Sequence, residues 1–298
     1  MSHASRDLDD DLRELIRSID GELVEVVPLE SAGYPGYRPS AYRIRLADGR
    51  MVKGRRCGNW QRAAAVEYAL QHIRHAALPR VLGRVGPTLL TEWLDGRPLT
   101  DADITPALLR RCGELLGAIH STPLPERNPF ERRDPIEDWH RRCERDLDEL
   151  VEANVLTGSE SRRALDLALC HAPNRCVAAF VHRDFCIENL VLQSDATICV
   201  ADNETLGIDA REFDLGRTWY RWPMPPAHWE EFLAAYDARC GAHEFAAHIT
   251  YWAIVALADA AVYRLRKHAR ATDVPIARLR TLLREVDRAA ADPALLSC

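Results

Sequence analysis

The segment VHRDFCIENLVL, Val181 to Leu192, decides how this chain is read. Val181 and the run from Leu190 to Leu192 have the character of short buried strands. Between them stand His182, Arg183, Asp184, Glu188 and Asn189, a polar group that a core strand does not tolerate without partners. After a short hairpin, ICVADNE (198–204) places Asp202 at the end of another apolar strand. Asn189 and Asp202 then supply hard oxygens of the kind that Mg²⁺ prefers. Asp184 is left to hold a hydroxyl nucleophile. Either spacing alone is weak; the two in this order, about a dozen residues apart, are specific.

Upstream, three strand-like runs, ELVEVVPL (22–29), SAYRIRLA (40–47) and RMVKGRR (50–56), follow an amphipathic segment with Leu8, Leu12, Leu15 and Ile16 on one face. The turn ADG joins the second run to the third, a hairpin signal. QRAAAVEYALQHI repeats its apolar residues at helical spacing, and VGPTLLTEWL reads as further strand. Beyond the connector DGRPLTDAD the pattern becomes helical. Thr105 and Pro106 open a helix through His120, and PIEDWHRRCERDLDELVEA and SESRRALDLALC are amphipathic helices. Short strands are expected only near 177–181, 190–193 and 198–201, and helices return from about Ala227. The division is residues 1–94, a β-rich lobe, and 95–298, a larger helical lobe.

Composition excludes several classes. A net charge of −6 on 298 residues leaves no basic footprint for nucleic acid. No apolar run reaches the ~18 residues of a membrane span, and no signal-peptide core is present, so a cytoplasmic protein is expected. Nine cysteines lack any C-x-x-C pair and read as reduced thiols; Cys186 and Cys199, with His182, match no zinc spacing and are assigned to packing. The aromatic run TWYRWP (218–223) is likewise assigned to packing. The only lysines are Lys53 and Lys267, which draws attention to Lys53 inside a strand.

HRDFCIENLVL, ICVADNE and the later FDL together resemble the aminoglycoside phosphotransferase and choline kinase-like family, small-molecule kinases with a protein-kinase-like fold. The resemblance spans most of the chain. It implies an α+β, bilobal fold, with a small β-rich N-terminal lobe and a larger helical C-terminal lobe. It implies that Lys53 holds the donor's phosphates, that Glu67 pairs with it, and that Glu92, Trp93 and Leu94 form a hinge reading the base through backbone groups. Asp184 becomes the catalytic carboxylate, and Asn189 and Asp202 the Mg²⁺ ligands. Asp214 accepts backbone hydrogen bonds from the loop, and His182 serves as scaffold. The cofactor is Mg²⁺ with ATP or GTP. The chain departs from the family at Arg183, where glycine is usual, at Asn203, and in LESAGYPGYRP, whose Gly33 and Gly36 do not form G-x-G-x-x-G.

No G-x-x-x-x-G-K-[ST] is present, which excludes a P-loop kinase. Nine residues, Thr205 to Phe213, separate DNE from Asp214, too few to dock a peptide. The expected partner is therefore a small-molecule alcohol bound by a monomer or homodimer, with no nucleic acid and no membrane. Family resemblance and the faint acidic balance favour a cationic acceptor, an aminoglycoside or related antibiotic, with acids such as those of PIEDW (135–139) facing it. A metabolite kinase for choline, homoserine or a sugar is the nearest alternative, followed by a nucleotide-binding pseudokinase regulator and, on HRD alone, a protein kinase.

Overall fold

A computed structural model describes residues 10–29, 40–127, 129, 135–267 and 272–291. Leu8 and most of the LESAGYPGYRP segment, with Gly33 and Gly36, lie outside the described residues. Helix α1 (Asp10–Ser18) is followed by β1 (Leu23–Pro28), β2 (Ala41–Leu46) and β3 (Met51–Arg56). After α2 (Trp60–His72) come β4 (Val81–Val85) and β5 (Thr88–Glu92). The strands form one antiparallel sheet in the order β1-β2-β3-β5-β4. Strand β4 and the turn at Gly86 divide what reads in the sequence as one run, and Gly86 takes φ 53°.

Period-two alternation in β3 sets up everything that follows. Val52 and Gly54 are buried beneath α1, while Lys53 and Arg55 point to the opposite face. Leu12, Leu15 and Ile16 of α1 bury against Ile44, Leu46, Val52 and Leu90. At Gly54 a Cβ would lie 2.5 Å from Leu12 Cδ2, so a larger residue there would make the Leu12 side chain shift. On the other face, α2 starts at the N-cap Asn59, whose Oδ1 accepts from Arg62 N at 2.8 Å, and buries Ala63, Val66 and Leu70.

The helical lobe carries α3 (Pro106–His120), α4 (Pro135–Glu152), α5 (Gly158–Cys170), α6 (Arg211–Arg221), α7 (Pro226–Cys240), α8 (His243–Ala247), α9 (Ile249–Lys267) and α10 (Asp273–Ala291). The apolar helix α9 is its centre and packs against α4, α5, α6, α8 and α10. Two short antiparallel sheets frame the polar loop: β6 (Arg97–Pro98) with β8 (Leu190–Leu192) and β9 (Ile198–Val200), and β7 (Ala178–Val181) with β10 (Gly207–Ala210). Strand β10 has no counterpart in the sequence reading. Trp222 and Tyr220 are buried, so the 218–223 aromatics do serve packing.

Helices α3 and α7 meet backbone to backbone. A Cβ on Gly113 would lie 2.1 Å from the Phe232 carbonyl oxygen, which cannot rotate away. Gly113→Ala is therefore expected to lower the melting temperature by several degrees in differential scanning calorimetry. Overpacking costs about 1–3 kcal/mol, and more where backbone must move, exceeding the ~1 kcal/mol that alanine gains in an open helix.

Candidate active site

Strand β7 ends at Val181, and the loop that follows is fixed from beneath by one carboxylate. Asp214, fourth residue of α6 and fully buried, accepts from His182 N at 2.5 Å and Arg183 N at 2.7 Å. His120 Nε2 lies 3.0 Å from the same carboxylate, and His120 Nδ1 lies 2.8 Å from Tyr236 Oη. Burial opposes charge on Asp214, yet the His120 hydrogen bond and the donors around it keep its pKa below the usual carboxylate value. The expected support from Asp214 is thus visible in the geometry. His182 contributes differently from the expectation: its backbone is bonded, with Thr205 Oγ1 donating to its carbonyl at 2.6 Å. Both ring nitrogens are buried without a hydrogen bond, and the ring packs edge-on to Phe185.

Arg183 takes φ 64°, the left-handed region that favours glycine. Its guanidinium compensates by reaching β10, where it pairs with Asp209 Oδ2 at 2.5 Å and donates to the Ile208 carbonyl at 3.3 Å. The Asp209 side chain is fully buried. Arg183→Gly relieves the backbone but removes the guanidinium paired with that buried carboxylate, to which Ala210 N still donates at 3.0 Å. Breaking a buried pair costs about 3–5 kcal/mol, against about 1–2 kcal/mol of relieved strain. Net destabilisation is expected, read as a lower urea midpoint.

Asp184 and Asn189 face each other as the spacing requires. Asn189 Nδ2 donates to Asp184 Oδ2 at 2.9 Å and to the Asp184 carbonyl at 2.7 Å. Asp184 Oδ1 accepts from Arg221 Nε at 2.8 Å, with Arg217 Nη2 at 3.6 Å. Burial opposes the charge on Arg221, but Asp184 and its neighbours Cys186 and Glu188 outweigh it and raise its pKa. Sequence reasoning missed both arginines. The signal is in FDLGRTWYR: Asp214, Arg217 and Arg221 recur at i, i+3 and i+7, one face of α6 turned toward the loop.

Three basic residues of the β-rich lobe close on the segment after β9. Lys53 Nζ donates to the Ala201 carbonyl at 2.7 Å. Arg55 Nη1 pairs with Asp202 Oδ1 at 2.8 Å and Arg55 Nη2 with Glu204, and Arg62 Nε donates to the Glu204 carbonyl at 2.9 Å. Burial pulls the Lys53 pKa down against the attraction of Asp202. For Asp202 itself, burial is outweighed by Arg55 and Lys53, so its pKa falls below the ordinary value.

The expected Lys53–Glu67 pair does not form. Glu67 Oε2 pairs with Arg84 Nε of β4 at 2.5 Å. The reason is helical phase: Val66 and Leu70 line the small cavity that holds Lys53, and Glu67, one residue on, is turned about 100° around α2. Arg55, two residues along the strand from Lys53, was legible by alternation and was overlooked. At the expected hinge, Glu92 N donates to the Arg80 carbonyl at 3.0 Å and Trp93 N to that of Met51 at 3.3 Å. The Glu92 carboxylate is spent on Arg80, which depresses its pKa, and Leu94 follows where β5 has ended.

The donor set suits Mg²⁺. Asn189 keeps Oδ1 as an acceptor once Nδ2 is used, and Asp202 keeps Oδ2 beside the Arg55 pair, two hard oxygens on adjoining segments. Magnesium commonly takes one or two protein oxygens and completes its shell with water and phosphates. No cluster of three or more His, Cys, Asp or Glu placed to hold a metal exists among the described residues. No helix among them is long and apolar enough to cross a membrane. The acids of PIEDW do not face this site: Asp138 and Glu137 pair with Arg141 on the outer surface of α4.

Residues 35–257 match the model of the phosphotransferase enzyme family, APH. No curated protein sequence matches significantly. Among solved structures, the choline kinase LicA from Streptococcus pneumoniae superposes with a TM-score of 0.70 at 16% identity, covering 95% of this chain and all of that one. An ethanolamine kinase from Plasmodium vivax gives 0.64 at 12%, over 94% of this chain and 85% of that one. A thermostable aminoglycoside phosphotransferase APH(4)-Ia, in ternary complex with ADP and hygromycin B, gives 0.64 at 16%, over 91% and 97%. At such identities the superpositions establish the bilobal fold; they do not choose an acceptor.

Proposed function

Since the chain belongs to the phosphotransferase enzyme family and is a small-molecule kinase, we propose that it transfers the terminal phosphoryl group of ATP or GTP to a hydroxyl held at Asp184. The observation that carries this reading is the Asp184–Asn189 pair, 2.9 Å apart, beside the segment of Asp202 and across the cleft from Lys53 of the β-rich lobe. Asp184 orients the acceptor hydroxyl and takes its proton as the new oxygen–phosphorus bond forms and the bond to the β-phosphate breaks. A nucleoside diphosphate leaves. Phosphoryl transfer has a loose transition state, so positioning and charge neutralisation carry most of the acceleration. Lys53 and Arg55 face the donor's phosphates from β3; the Glu92 and Trp93 N–H groups are already bonded to the Arg80 and Met51 carbonyls, so the base would take its backbone hydrogen bonds from Leu94 and from carbonyls of this segment. Glu67, held by Arg84, fixes α2 against β4 and acts on nucleotide only through that packing. Asn189 and Asp202 would hold Mg²⁺, which when bound supplies positive charge on the phosphate oxygens.

The sequence expectation of an aminoglycoside acceptor meets an obstacle at the mouth of the site. Asp184 is flanked by Arg217 and Arg221, and a polyammonium compound would bring like charges against them at a cost of several kcal/mol. The reading is tested by Mg²⁺-dependent release of ADP or GDP. Slow acceptor-free release by the wild type, lost in Asp202→Ala, is expected, with stimulation by small alcohols. A folded protein that neither binds nor hydrolyses either nucleotide would overturn it.

A further inference from the structure

The acceptor side of the cleft has a charge opposite to that of the protein as a whole. A cavity of about 430 Å³ opens beside Asp184 and is lined by six arginines: Arg62, Arg142, Arg183, Arg217, Arg221 and Arg264. Among the described residues its lining carboxylates are Asp184, Glu204 and Asp259, three acids to six arginines in a chain whose net charge is −6, while Asp209 and Asp146, outside the lining, pair with Arg183 and Arg142. None of the six arginines lines the neighbouring cavity that holds Lys53. Arg142, Arg217, Arg221 and Arg264 belong to α4, α6 and α9 in the helical lobe.

The carboxylates present are already shared. Asp259 serves both Arg142 and Arg217. Asp184 serves Arg221 and, more distantly, Arg217, and Glu204 is taken by Arg55. Arg62 receives only a backbone carbonyl, that of Glu204. Burial, followed by repulsion from Arg183, pulls its pKa down to about 10. Asp209, already paired with Arg183, offsets this only in part. Guanidinium groups outnumber carboxylates along this cavity, and the planar guanidinium fork is shaped for carboxylate or phosphate oxygens of the kind a ligand would bring.

We propose that the acceptor is an anionic alcohol, a small molecule with a phosphate or carboxylate group beside the hydroxyl that is phosphorylated. This rests on the kinase reading above. The anionic group sits among the arginines while the hydroxyl reaches Asp184. Transfer then forms the acceptor oxygen–phosphorus bond, breaks the bond between the γ-phosphorus and the bridging oxygen, releases ADP or GDP, and passes the hydroxyl proton to Asp184. The product gains a second anionic group, so the reaction that supplies the substrate is one that leaves a hydroxylated phosphate or acid.

The test matches neutral alcohols with their anionic counterparts. Glycerol, glycerol 3-phosphate and glycerate form one series; glucose, glucose 6-phosphate and gluconate form another; kanamycin and choline represent cations. Thermal shift is measured with saturating ADP and Mg²⁺, so that the donor site is filled, and nucleoside diphosphate release is measured in parallel. Anionic members are expected to raise the melting temperature where their neutral parents do not. The phosphate and carboxylate arms show which group the arginines take. Arg62→Gln and, separately, Arg264→Gln are expected to raise KM, or the ligand concentration giving half the shift, by about tenfold for anionic members only. Arg264 stands in the last turn of α9, so its variant keeps the test open if Arg62→Gln misfolds. If anionic members shift melting no more than neutral ones, or kanamycin or choline is the better acceptor, the proposal fails while the kinase reading stands. Failure of both would appear as absent nucleotide binding and hydrolysis.

Discussion

Asp184→Asn is expected to bind nucleotide as the wild type does and to lose about 10²–10⁴-fold in turnover, the usual cost of removing a positioned base. The substitution is nearly isosteric. Asparagine can still accept from Arg221 through Oδ1, and its Nδ2 replaces an oxygen that now receives a hydrogen bond from Asn189. What disappears is the negative charge that balances Arg217 and Arg221 and takes the hydroxyl proton, together with the hydrogen bond from Asn189 Nδ2. Equilibrium binding of a fluorescent nucleotide, with kcat from diphosphate release, separates the two effects. Full turnover in a folded variant would remove Asp184 from the reaction.

Asp214→Asn has the second-largest expected effect, on stability as well as activity. The carboxylate accepts from two backbone donors, one on each oxygen, and from His120. An amide offers one acceptor oxygen, so its Nδ2 must face either His182 N or Arg183 N, donor against donor, at a side chain with no exposure to solvent. Leaving buried donors unmet costs about 1–3 kcal/mol each. A loss on the order of 3 kcal/mol in urea denaturation is expected, together with activity lost beyond what unfolding explains. The pH dependence has a definite sign. Asp214 and Asp202 both have folded-state pKa values below the unfolded one. Their stabilisation is therefore complete above the unfolded value of about 4 and is lost as pH falls through the folded values. Asp214→Asn should flatten that acid limb; an unchanged limb would show that other carboxylates set it.

Much of this was legible because it rests on local rules. The hairpin turn at ADG, the helix from Pro106 and the polar loop between Val181 and Leu190 follow from turn chemistry, capping and burial. Thr105 does cap α3, accepting from Leu108 N at 3.2 Å. Asp184 and Asn189 meet because five residues and one 3₁₀ turn, Ile187–Asn189, bring them together. What sequence could not supply was the rotation of one element against another. Glu67 lies on the right helix but at the wrong phase, a matter of how α2 docks on β4. Arg142 and Arg264 reach the same cavity from helices more than a hundred residues apart, and no periodicity records that. Arg183 showed only as a departure; its left-handed backbone and its buried partner Asp209 on the unforeseen strand β10 explain both why glycine is usual and how arginine is tolerated.

The clasp of Lys53 and Arg55 on the 201–204 segment changes what donor affinity measures. Without nucleotide the cleft neutralises itself: Asp202 and Glu204 stand in for phosphate oxygens, and Arg55 is already partnered. A triphosphate therefore enters by exchanging one set of counter-ions for another. The contacts it gains are offset by those it displaces, and salt weakens both sets together. Donor binding should consequently depend on ionic strength less steeply than the charge of a triphosphate implies, whereas the acceptor cavity, where guanidinium groups outnumber carboxylates, should feel salt more.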